Sequence, residues 1–174
     1  MDGVRRALRV IFLIAVALMM QPAKVQVDEL PAKESQKHYS WNEPPPIVMC
    51  YNDFPMYLLY RAVDFWQMRG KEIEGIIPSG PSGLCAVDYI PNTIIVRRAQ
   101  YDQLLPDQLA ITRRMSDENG KMIAAVIIFK QEKLHYNLII EHELGHALGY
   151  GHVNKHKHIM NPYHERMGLN FWIP

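Results

Sequence analysis

Six of the eight histidines in this chain of 174 residues lie between residues 142 and 164. Three of them stand in the run His142-Glu143-Leu144-Gly145-His146-Ala147-Leu148-Gly149-Tyr150-Gly151-His152, which fits H-E-x-x-H-x-x-G-x-x-H at every fixed position. A chance match of that length in this composition is on the order of 10⁻⁴. Histidines four apart on a helix share one face, one turn apart, so the rings of His142 and His146 can converge on a single tetrahedral ion at about 2.0 to 2.1 Å. His152 lies too far along the axis to join them from the same straight helix. The chain must turn back, and Gly149, with no Cβ to oppose a positive φ, permits the turn. Three imidazole nitrogens suit zinc and leave its fourth position for water, which is the mark of a catalytic rather than a structural site.

Glu143 adjoins the first of these histidines and can face that water without being a ligand. The expected chemistry is peptide-bond hydrolysis with no covalent intermediate. The ion brings the pKa of its water towards about 7 and polarises the carbonyl; Glu143 takes the proton as general base and returns it to the leaving amine. His156, His158 and His164 follow the last ligand and read as solvated loop residues, because the set of three nitrogens is already complete.

The elements that must hold these residues can be read from periodicity. The helix predicted over LIIEHELGHALG begins at Asn137 as N-cap and ends at Gly149. Upstream, IVMCYNDF is a strand candidate. From Pro55 the apolar residues Tyr57, Leu58, Ala62, Phe65, Trp66 and Met68 recur at helical spacing until Gly70, predicting a long first helix whose apolar residues, Trp66 among them, are core. Further strands are expected over Glu72–Ile77, Thr93–Arg98, Leu109–Met115 and Met122–Lys130. The last two flank Asn119-Gly120 and should form an antiparallel hairpin.

A formal net charge of +1, with no basic run, leaves no electrostatic footprint for a phosphate backbone, so nucleic acid is not an expected partner. Arg5, Arg6 and Arg9 precede the apolar run Val10–Met20, too short to span a membrane, and residues 1–23 read as a signal peptide or an uncleaved N-terminal anchor. A membrane partner enters only in the second case. Residues 24–46 are polar, end in three prolines and read as a linker or short pro-segment; the catalytic domain is placed at 47–174. Export implies a secreted or periplasmic location, where Cys50 and Cys85 can be bridged or can stay as two buried thiols.

The stretch HELGHALGYGH followed by Met160 and Pro162 (HIMNP) resembles the metzincin zinc endopeptidases, and its spacing resembles most the matrixin branch that includes the matrix metalloproteinases. In astacins a tyrosine stands two places after the methionine; here that place is Pro162. The resemblance implies an α+β zincin with a twisted mixed sheet, an antiparallel edge strand, a long first helix and an active-site helix. It implies that His142, His146 and His152 bind one catalytic Zn²⁺, that Glu143 is base and then acid, and that Met160 forms an apolar floor beneath the metal. It implies too that Pro162 and Tyr163 line the pocket for the residue after the scissile bond, while Leu138, one turn before His142, either reaches that pocket or belongs to the core. Leu109–Met115 becomes the sheet edge on which an extended peptide or protein substrate adds as a strand. The aspartate- and glycine-rich loops that hold structural zinc and calcium in vertebrate matrixins have no counterpart here, nor does the cysteine switch. Asp28, in the linker, can cap the metal in a latent form or be a plain exposed acid.

The reading that results is a zinc-dependent endopeptidase. Its rival is a non-hydrolytic zinc-containing module that holds a peptide on the same fold, against which the presence of Glu143 argues.

Overall fold

The computed structural model describes residues 39–50, 55–79, 83–85, 87, 89–100, 103–134 and 136–171. The N-terminal basic and apolar segment, Asp28 and the linker up to residue 38 lie outside them. Among the described residues no helix is long and apolar enough to cross a membrane.

Six strands and two helices make the domain: β1 (Ser40–Trp41), β2 (Pro46–Met49), α1 (Met56–Gln67), β3 (Gly75–Pro78), β4 (Ile94–Arg98), β5 (Ala110–Ser116), β6 (Lys121–Phe129) and α2 (Ile139–Ala147). The strands form one sheet in the order β3-β2-β4-β6, with all these neighbours parallel. β1 adds in parallel to the first two residues of β6, and β5 runs antiparallel to β6 along its length. Parallel strands are covered on both faces, which is why β2, β4 and β6 read as nearly unbroken apolar runs rather than as alternating ones. The period of two still sorts them. Ile47, Met49, Ile94, Val96, Ala125, Ile127 and Phe129 face the helices in the main core, whereas Ile95, Val126 and Ile128 form a smaller cluster on the far face with Ile111 and Leu104.

Both helices pack on the main-core face, joined through Trp66. Its ring is fully buried, its Nε1 donates to the Glu141 carbonyl at 2.8 Å, and it stacks on Tyr150 at 5.1 Å between centroids. Arg61 of α1 grips the buried Glu141 carboxylate with two bonds, Nε to Oε1 at 2.5 Å and Nη2 to Oε2 at 3.2 Å. A carboxylate this deep needs such a partner, because burying it alone would be prohibitive.

Two sequence expectations are corrected. The stretch assigned to the linker enters the fold from residue 39: the Tyr39 amide donates to Gly149, Ser40–Trp41 extend the sheet, and Trp41 Nε1 donates to the Ala147 carbonyl at 3.0 Å. Its prolines and polar residues concealed two aromatic anchors. Asn137 does not cap α2, which starts from Leu138 in the left-handed region at φ 65° with no side-chain cap. The expected antiparallel hairpin of β5 and β6 is present. Asp117 to Gly120 form a turn in which Asp117 Oδ1 accepts from the amides of Asn119 and Lys121, and only Gly120 has a positive φ. Cys50 and Cys85, left open by the sequence, are joined by a disulfide across 35 residues, with Cα atoms 5.5 Å apart.

Candidate metal centre

Every residue of α2 is buried, so this helix lies between sheet and loop segments rather than on the surface. His142 and His146 stand one turn apart on it. At its end, Tyr150 N donates to Gly145 O (3.0 Å) and Gly149 N to His146 O (2.9 Å), the paired bonds of a Schellman motif, with Gly149 at φ 101°. A Cβ on Gly149 would overlap the Tyr39 carbonyl, so this position is restricted by contact as well as by φ. The motif reverses the chain and brings back His152, as the glycine spacing predicts.

The three rings meet at their Nε2 atoms. His146 Nε2 is 3.1 Å from His142 Nε2 and 3.1 Å from His152 Nε2. An ion bound tetrahedrally at about 2.0 to 2.1 Å would space its ligands by roughly 3.3 Å, so the separations fit. The opposite nitrogens explain the orientation. His142 Nδ1 lies 2.8 Å from the Ile159 carbonyl and His146 Nδ1 2.8 Å from the Tyr150 carbonyl. A carbonyl only accepts, which assigns the proton to Nδ1 in both rings and turns both Nε2 lone pairs inward. Lone pairs facing one another in a buried pocket repel; a cation between them removes the repulsion. Burial holds all three rings neutral, as ligands must be. Desolvation, reinforced by His152, lowers His142 to about 3; desolvation with Arg114 lowers His152 to about 4; desolvation with the two neighbouring rings lowers His146 well below the ordinary histidine value. Among the described residues this is the only group of three or more metal-ligating side chains whose ligand atoms converge.

The segment after the ligands closes the site from below. Val153 N donates to the Met160 carbonyl at 2.8 Å, and Ile159, which orients His142, directly precedes Met160. Met160 is fully buried, and its Sδ and the Trp66 ring occupy the space that a Cβ on Gly145 would need. His158 corrects its sequence reading as a solvated loop residue. It is 1% exposed, and its Nδ1 accepts from the Met160 amide at 3.0 Å, so it braces the methionine turn. His156 is exposed, and His164 Nε2 pairs with the Asn137 carbonyl at 2.9 Å, tying the segment after the turn to the start of α2.

Glu143 is 1% exposed and next to His142. Its Oε2 accepts from Thr112 Oγ1 of β5 at 2.6 Å, and the same hydroxyl lies 3.1 Å from its carbonyl oxygen. Sequence reasoning missed Thr112. The available signal was the alternation of β5, which turns Thr112 and Arg114 to the same side; Arg114 Nη1 donates to Tyr150 O at 3.3 Å, the carbonyl that also orients His146. Of the residues expected to bind substrate, Leu138 is buried and lines a groove of about 680 Å³ with Tyr57, Arg61 and Leu169, whose lining includes neither Pro162 nor Tyr163. Those two are half-buried beyond the methionine turn, where Tyr163 N donates to Asn161 Oδ1 at 2.9 Å.

A left-handed helix end, three converging imidazoles and a buried methionine turn together describe a metallopeptidase-type centre. The matrixin family model matches residues 61–171, more than half of the chain, and the chain belongs to that family. No curated protein matches it.

Proposed function

We propose that this protein is a zinc-dependent endopeptidase. The observation that carries the reading is the meeting of three buried histidine Nε2 atoms, two of them from the helix that also carries a buried carboxylate, Glu143, outside the ligand set. A site that only stored or carried zinc would have no use for that carboxylate.

His142, His146 and His152 are the residues that would hold the zinc. Bound there, zinc supplies Lewis acidity, which acidifies water and polarises a peptide carbonyl. Glu143 accepts the proton that water gives up as its oxygen bonds to the carbonyl carbon. When the C–N bond breaks, Glu143 returns that proton to the departing amine. The peptide is held extended along β5. That strand pairs with β6 on one side, and among the described residues no strand pairs with its other edge. Backbone bonding of this kind gives affinity with little sequence preference. Pro162 and Tyr163 are assigned to the wall of the pocket that takes the residue after the scissile bond, whereas Leu138 belongs to the core and to a separate groove. The Cys50–Cys85 disulfide supports an oxidising location, extracellular or periplasmic.

The test uses the full chain on an unfolded protein substrate, with zinc, with a chelator, and beside Glu143→Gln. Hydrolysis by the zinc-loaded protein should cease on chelation and fall by at least about 10²-fold in the variant, which should still bind one zinc. Activity that survives the substitution would refute the role of Glu143. Zinc binding without hydrolysis by either protein would instead favour a peptide-holding module.

A further inference from the structure

Glu143 carries a flexible side chain, and a base is useful only where it is held in the right direction. One hydroxyl reaches that side chain from another element. Thr112 sits in mid-β5, paired across the hairpin with Ile127, and its Oγ1 lies 2.6 Å from Glu143 Oε2 and 3.1 Å from the Glu143 carbonyl oxygen. A threonine hydroxyl has a single proton. Of the two acceptors, the carboxylate oxygen is nearer and offers the charge-assisted bond, so the proton goes there.

From this geometry we infer that Thr112 is a positioning residue for the proposed hydrolysis: it fixes the Glu143 carboxylate against the sheet edge and thereby aims the base. The inference rests on the endopeptidase reading above. Three details support it. Thr112 is β-branched and lies in a strand, so its χ1 is stiff and its hydroxyl is itself well placed. The hydroxyl fills one of the carboxylate's roughly four lone-pair sites, leaving capacity for the proton of water. The strand that carries Thr112 is also the one proposed to receive the peptide, so substrate docking on one edge of β5 steadies the hydroxyl that points to α2. Binding and base orientation are coupled through a single residue of that strand.

The experiment compares Thr112→Val, which keeps shape and strand preference but removes the hydroxyl, with Thr112→Ser, which keeps the hydroxyl. Thr112→Ala serves as a second hydroxyl-free variant should Val fail to fold. Loss of a hydrogen bond to a charged group predicts a fall in kcat of about 10- to 100-fold in Thr112→Val, KM within about twofold of wild type, and recovery of most of kcat in Thr112→Ser. A second readout is independent of turnover. In protein labelled with ¹³C at the glutamate carboxyl carbons, the signal that vanishes in Glu143→Gln should move in Thr112→Val and stay in place in Thr112→Ser. Full kcat in Thr112→Val beside an inactive Glu143→Gln overturns the role of Thr112 alone, as does equal impairment of Thr112→Ser and Thr112→Val. A wild-type protein that does not hydrolyse peptides, or a fully active Glu143→Gln, overturns the endopeptidase reading and this inference with it.

Discussion

Stripped of metal, the protein should lose stability steeply as the pH falls below about 6.5, and the slope follows from the three buried rings. His142, His146 and His152 are held neutral in the folded chain with pKa values below the ordinary one, chiefly because burial disfavours the charged form. In the unfolded chain each takes up a proton near pH 6.5. Above that pH both states are neutral and the groups contribute no pH dependence. Below it the unfolded state binds protons that the folded state refuses, so stability falls with falling pH until the folded pKa values are reached, about 4 for His152 and about 3 for His142. Each group approaches about 1.4 kcal/mol per pH unit in that window, so the three together remove about 5 kcal/mol between pH 6.5 and 5. A domain at the low end of the usual range of about 5 to 15 kcal/mol would be at or near its unfolding transition.

Urea unfolding at pH 7.5, 6.5, 5.5 and 5.0 in the presence of a chelator measures this, with tryptophan fluorescence reporting the exposure of the fully buried Trp66. Adding zinc at about 100 times its Kd should restore about 2.7 kcal/mol at pH 7.5, and the gap should hold down to about pH 5.0, because the folded rings take up protons only near pH 4 and below. Equal stability of the chelated protein at pH 5.0 and 7.5 would refute the picture of three rings buried in their neutral forms.

Gly149→Ala places a Cβ at φ 101° and against the Tyr39 carbonyl, and should cost roughly 2 to 4 kcal/mol in thermal unfolding. It should also weaken zinc binding by about tenfold or more, since His152 follows that turn; an unchanged zinc affinity would show that the turn does not set the third ligand. Replacing Cys50 and Cys85 together by serine opens a link across 35 residues and should lower stability by about 4 kcal/mol on the chain-entropy model, read as a lower urea midpoint with zinc stoichiometry unchanged.

The centre was legible in the sequence because its residues are local: His142, His146, Gly149 and His152 are bound together by helical spacing and one helix-ending glycine, so spacing alone implies convergence. The first helix and the β5–β6 pair were legible for the same reason, their apolar periods being strong. What stayed hidden depends on contacts between distant segments. Leu138 takes a left-handed conformation at the start of α2 where Asn137 has the better capping chemistry, so local preference was overridden. His158 has the composition of a surface loop around it and is buried because the methionine turn folds over it. Tyr39 and Trp41 look like part of a proline-rich tether until Gly149 and Ala147 supply their partners. Thr112 is the plainest case, an ordinary strand residue whose neighbour is 31 positions away.

The carbonyl of Tyr150 receives both the ring of His146 and the guanidinium of Arg114. One peptide unit is thus a joint between helix terminus, sheet border and ligand cage. Transplanting the eleven-residue signature onto a foreign scaffold would carry over three imidazoles and a carboxylate but not the Arg114 side of this joint, and the grafted site should bind zinc loosely and turn over poorly. A designer aiming to move the activity would have to take β5 and the segment through Met160 as well.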